Sequence, residues 1–186
     1  MNQMTRIVAA PVDGFKARFT TAEFLKMIEL GAFGDIKVDL VDGELERMPP
    51  PGNAHGLLQI ALLSQLIALA GVARVRAEQG IDLGDDTLVA CDGALLRAPV
   101  TDKRMLTAAD LLLVIEVAET TFRRDSEMKR TKYAGAGVPL YWVVDSRRSV
   151  VHVYQEPTDG DYIQVHTVRF GEPLSVPGTS ETITLS

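Results

Sequence analysis

Hydrophobic and polar positions fall along the chain in blocks that lay out its elements in order. Thr20, Thr21, Ala22 and Glu23 match a capping box, in which a hydroxyl and a Glu three residues on satisfy the amides at a helix start. Phe24, Leu25, Ile28 and Leu30 follow at helical spacing until Gly31. Residues 36–41 alternate as a strand ending at the turn pair Asp42-Gly43, and residues 44–48 form its return strand, closed by three prolines and Gly52. Asn53 is the expected N-cap of the next helix. Residues 57–69 are apolar on nearly every helical face, which predicts a buried helix stopped by Gly71.

Residues 72–83 and 87–96 have strand character and are separated by Gly84-Asp85-Asp86. Residues 111–117 form a continuous apolar run around Glu116, the pattern of a strand buried on both faces. A charged amphipathic helix over 122–134 follows, then strands over 140–144, 150–154 and 162–168. Strand, helix and strand from Leu111 to Val144 make a crossover unit, so the sheet is at least partly parallel. The expected class is α/β, a mixed sheet flanked by helices, with an irregular arm over 1–19 and one domain over 20–186.

Composition narrows the function. The chain has 186 residues, 46% hydrophobic and 24% charged, with 19 basic against 25 acidic side chains and a net charge of −6. Such a balance gives no general attraction to nucleic acid or anionic lipid, although it leaves room for a local basic patch. Cys91 is the single cysteine, so there is neither an intrachain disulfide nor a Cys-x-x-Cys zinc site, and a reducing compartment is expected. The apolar run over 57–69 is interrupted by Gln59, Ser64 and Gln65 and is too short to cross a bilayer. A cytoplasmic protein without membrane contact is the expectation. No phosphate-binding glycine loop, dinucleotide fingerprint or nucleophile elbow occurs.

Glu116 stands alone among apolar neighbours, and a buried carboxylate needs a cation, a metal or donors unless it sits at a strand end in solvent. Asp92 ends another apolar run, yet Asp92-Gly93 is also a hairpin-turn signal. Asp39 and Glu44 flank the Asp42-Gly43 turn and are either candidate acids or solvated hairpin residues. Lys129 lies on the helix after the Glu116 strand, with Tyr133 one turn further on the same face. It belongs to a run of five cations, Arg123, Arg124, Lys129, Arg130 and Lys132, which is either a cationic stripe or a solvated face. His55 precedes the apolar helix and is the one histidine outside the last two strands.

Several of these segments together resemble a known family. They are Val38-Asp39-Leu40-Val41-Asp42-Gly43-Glu44-Leu45, Met48-Pro49-Pro50, His55, Asp92, the stretch 115–121, Arg124-Asp125, Lys129 and the stretch 133–145. The pattern resembles the Uma-two family of restriction-endonuclease-like proteins within the PD-(D/E)XK nuclease superfamily. The resemblance implies a mixed sheet with an acidic metal site at its edge. By position it implies Asp92 and Glu116 as metal-binding acids and Asp39 as the acid of the first motif. The superfamily lysine position holds Ala118, which leaves Lys129 as its substitute. Asp39 stands where the family usually has Glu, and Cys91 where it usually has Pro.

Carboxylate oxygens suit a hard ion such as Mg²⁺, or Mn²⁺, that could polarise a phosphodiester. The expected function is a Mg²⁺-dependent endonuclease acting on DNA, with catalytic residues Asp92, Glu116, Lys129 and Asp39 and with Glu44, His55 and Tyr133 as further candidates. A homodimer suits an enzyme that cuts two strands. The alternatives are an inactive nuclease fold serving as a dimeric binding or assembly module, and a phosphoesterase acting on nucleotides.

Overall fold

The computed structural model describes residues 17–186, so most of the expected arm lies outside the described residues. The chain is pinned at its described start by the Phe19 amide, which donates to the Gly43 carbonyl at 2.8 Å. The elements in order are α1 (Thr21–Glu29), β1 (Val38–Val41), β2 (Glu44–Arg47), α2 (Asn53–Ala70), β3 (Val75–Gly84), β4 (Thr87–Leu96), β5 (Leu106–Thr107) and β6 (Leu111–Ala118). A π-helical segment (Arg124–Lys129) then runs into α3 (Arg130–Gly135), followed by β7 (Leu140–Asp145), β8 (Val150–Thr158), β9 (Asp161–Arg169), β10 (Leu174–Ser175) and β11 (Thr182–Ile183).

Nine strands among the described residues form one mixed sheet, and its main path runs β2-β1-β4-β6-β7-β8-β9. β6 and β7 are parallel, with Ile115 opposite Trp142 and Glu116 opposite Val143, while β7 to β9 are antiparallel. The parallel pair is the expected crossover. One face of the sheet carries a core of Val114, Ala118, Tyr141 and Val143 against Tyr133, Ala134 and Val138. The other face packs Leu113, Ile115 and Trp142 against Leu62, Leu63 and Leu66 of α2. A Cβ on Gly93 would meet Leu63 Cδ2 at 2.8 Å, so α2 lies this close to β4 because position 93 has no side chain.

The expected capping box is present: Thr20 accepts from the Glu23 amide at 3.2 Å, and Glu23 accepts from the Thr20 amide at 2.8 Å. α2 differs from expectation in three ways. It starts at Asn53, behind Gly52 as N-cap, and no side chain caps it. At 18 residues it is long and apolar enough to cross a bilayer by length and composition, because the helix runs beyond the apolar stretch at both ends. Nor is it buried all round. Leu62, Leu63 and Leu66 face the sheet, whereas Leu57 and Ile60 are 62% and 68% exposed.

Candidate active site

The sheet has a gap, and the site fills it. One edge of β4 pairs with β3 along its length. The other edge pairs first with β1, at Leu40 opposite Leu88, and then with β6 from Gly93 opposite Ile115 onward. Between those ladders, backbone groups of β4 and β6 need other partners, since a buried peptide group left unpaired costs about as much as a lost hydrogen bond. Side chains supply them. The Ala90 amide donates to Asp39 Oδ1 at 3.0 Å, and Lys129 Nζ donates to the Ala90 carbonyl at 2.8 Å. The Val117 amide donates to Asp92 Oδ2 at 2.6 Å, and Gln59 donates to the Asp92 carbonyl at 2.8 Å.

This arrangement brings together Asp39 from β1, Asp92 from β4, Glu116 from β6 and Lys129 from the π-helical segment, all lining one cavity of about 380 Å³. Lys129 is 2% exposed and donates to Glu116 Oε1 at 2.7 Å. The Tyr133 hydroxyl donates to the same oxygen at 2.9 Å. Burial pushes the Glu116 carboxyl well above the ordinary range; the Lys129 ammonium opposes this, and the Asp92 and Asp125 charges add to it. Burial works against the Lys129 ammonium, but Glu116, Asp39 and Asp125 outweigh it and raise its pKa.

Most of the candidate residues meet at the cavity, one stands behind it and one lies outside. Asp39, Asp92, Glu116, Lys129 and His55 line it, and Tyr133 contacts Glu116 from the core. Glu44 is outside this lining, on β2, where Arg18 lies 3.5 Å from its carboxylate. Asp92-Gly93 sits inside β4 and makes no hairpin turn. Ala118 is core, and its carbonyl accepts from the Ser146 amide at 3.1 Å. The run of cations makes no stripe either, because each member has its own acid: Arg123 with Glu127, Arg124 with Asp39 and Glu46, Lys129 with Glu116, Arg130 with Asp161, and Lys132 with Asp42.

Three residues at the site were not among the sequence candidates for it, although Arg124-Asp125 is one of the segments that carry the resemblance. Asp125 is 3% exposed, accepts from the Thr121 hydroxyl at 2.6 Å and lines the cavity beside Lys129. Its i,i+4 spacing from Lys129 was the available signal. Arg124 donates to Asp39 Oδ2 at 2.8 Å, fixing that carboxylate from behind. Glu78 of β3 reaches the cavity rim, and His55, Glu78 and Asp92 each offer a ligand atom within 4.8 Å of the others, a group able to hold a metal ion. Six carboxylates and two lysines line the cavity, so its chemistry favours a cation as the first guest and an anion only after it.

The profile of the Uma2 family, described as "Putative restriction endonuclease", matches residues 21–186. Among solved structures, a crystal structure of a putative nuclease belonging to DUF820 from Anabaena variabilis superposes with a TM-score of 0.60 at 20% identity, covering 86% of this chain and 89% of that one. That likeness is one of fold. No curated protein matches the chain.

Proposed function

Because the chain belongs to the Uma2 family, we propose that it is an endonuclease hydrolysing phosphodiester bonds of DNA with Mg²⁺ or Mn²⁺ held by Asp92 and Glu116. The observation that carries this reading is the buried Lys129 ammonium, 2.7 Å from Glu116 on the wall of an open, acid-lined cavity. An ammonium and several carboxylates are costly to bury together, and a fold that only needed stability would fill the gap with apolar side chains. A bound divalent ion supplies polarisation of a phosphoryl oxygen and a water of lowered pKa.

The chain's own residues supply the rest. Tyr133 and Lys129 orient Glu116, while the Val117 amide holds one oxygen of Asp92 and leaves Oδ1 facing His55. Asp39 acts one step back: it clamps the Ala90 amide and is itself clamped by Arg124. Lys129 offers positive charge where a phosphoryl group would gain negative charge. A homodimer belongs to the same reading, since two centres serve the two strands of a duplex. The alternative, a binding module that kept the nuclease fold without its activity, is favoured by the way Lys129 already neutralises Glu116.

Cleavage of duplex DNA separates the two. The wild-type protein is expected to cut with Mg²⁺ or Mn²⁺ and to stop on chelation. Glu116→Gln, which keeps the shape and removes the charge, is expected to lose on the order of 10²-fold or more in rate. Intact DNA with wild-type protein in both metals would rule out the nuclease and leave the binding module.

A further inference from the structure

We propose that His55 is a metal ligand, and that His55 Nε2, Glu78 and Asp92 form a nitrogen-containing position that takes a first-row transition ion such as Mn²⁺ in preference to Mg²⁺. The proposal rests on the cavity being a metal site, but not on DNA being cut.

The first observation is a poorly paired imidazole nitrogen. His55 is 9% exposed and lines the cavity, and its buried Nε2 faces the Asp92 carboxylate without a well-aligned hydrogen bond. Asp92 Oδ1 lies 3.3 Å away, and that carboxylate's other oxygen is already occupied by the Val117 amide. A lone pair on each of two atoms at that separation is what an ion between them would use. Bonds of about 2.0–2.2 Å to nitrogen and oxygen put neighbouring ligand atoms about 3.0–3.4 Å apart.

The second observation is Glu78. Its backbone has φ 49° inside β3, a left-handed conformation that costs a non-glycine residue about 1–2 kcal/mol. Oε2 is taken by Lys37 and Oε1 by the Gln59 amide at 3.0 Å, so the carboxylate is held at the rim near Asp92. Gln59 also donates to the Asp92 carbonyl, which ties both acids to α2, the helix that carries His55. An imidazole in the ligand set favours transition ions over Mg²⁺, which prefers oxygen ligands and retained waters.

The chain has three histidines; the other two, His152 on β8 and His166 on β9, are absent from the cavity lining. Pulsed electron paramagnetic resonance of the full chain with one equivalent of Mn²⁺ therefore reads the proposal directly. The wild type is expected to show modulation from a directly bound ¹⁴N, and His55→Gln to lose it with about tenfold or greater loss of Mn²⁺ affinity. Mg²⁺ affinity is expected to stay within about twofold, as its position keeps Asp92 and Glu116. Glu78→Gln is expected to weaken Mn²⁺ by a similar factor and keep the ¹⁴N signal, which covers the case in which His55→Gln fails to fold. Absence of the nitrogen signal in wild type, or its persistence in His55→Gln, overturns the assignment. DNA cutting without that signal overturns this proposal alone; the signal without cutting overturns the nuclease reading alone.

Discussion

At the scale of single residues, Lys129 and Glu116 depend on each other. Each is almost fully buried, and removing one partner of such a pair leaves the other charge without compensation, at a cost of about 3–5 kcal/mol. Lys129→Met is expected to destabilise the chain by about that amount in urea unfolding, while adding Glu116→Gln to it restores part of the loss; equal, additive losses would show that the two do not act as a pair. Glu116 was legible in the sequence because a lone acid inside an apolar run demands a partner. Asp125 was legible as part of the Arg124-Asp125 segment but not as a buried site acid, since beside Arg123 and Arg124 it reads as one charge diluting a basic segment. Its burial is decided by Thr121 and by the Tyr141 hydroxyl that donates to its carbonyl at 3.0 Å, neither of which local pattern reveals.

At the scale of elements, turn chemistry gave the hairpins and register withheld the site. Asp42-Gly43 makes the β1–β2 turn with φ of 51° and 77°, and Asp85-Asp86 makes the β3–β4 turn with φ of 46° and 50°, as the paired left-handed residues of such turns require. Counting back from that second turn places Glu78 opposite Gly93. An irregularity between Asp82 and Gly84 shifts the pairing by one, so that Ala77 faces Gly93, Gln79 faces Cys91, and Glu78 falls opposite Asp92. Register, which local pattern does not reveal, sets Glu78 beside Asp92. The helix expected over 122–134 is widened into π turns over Arg124–Lys129, which bury both Asp125 and Lys129; such widenings recur at functional sites.

The short turn before β6 carries a pH-dependent element. Asp110 accepts from Arg104 through both oxygens at 2.7 Å and from the Thr107 amide at 2.8 Å. The Arg104 hydrogen bonds above all hold its carboxyl well below the usual range. A carboxyl lowered by folding adds stability above its unfolded value, near 3.9, and loses it as pH falls below that. Asp110→Asn is therefore expected to lower the melting temperature at pH 7 by about 2–4 °C, as loss of a cap of ~1 kcal/mol would, and to narrow its deficit below about pH 4. A deficit that stays constant into acid would contradict this role.

At the scale of the whole molecule, the fold divides stability from chemistry. The sheet from β6 to β8 is closed on both faces by apolar cores, while the gap between β1 and β6 along β4 is bridged by charged side chains. The crossover and the mixed sheet were legible because a buried strand, a helix and a second buried strand admit few topologies. The gap was not, because it depends on where two ladders end. The outer face of α2 was also misjudged, since an all-apolar helix does not say which side meets the sheet.

That face presents Leu57 and Ile60 to solvent on a helix without Asp, Glu, Lys or Arg. In the homodimer reading, light scattering is expected to give twice the chain mass for wild type and the single-chain mass for Ile60→Glu. A wild-type monomer would remove the dimer from the proposed function.

The gap itself is tested most directly by crystals soaked in Mn²⁺ and measured for anomalous scattering. The expected map has a peak in the cavity within about 2.0–2.4 Å of oxygens from Asp92 and Glu116 or of Asp92 with His55 Nε2, and Asp92→Asn abolishes it. A cavity without a peak at millimolar Mn²⁺, or a peak only on surface carboxylates, would show that these acids meet for structure alone.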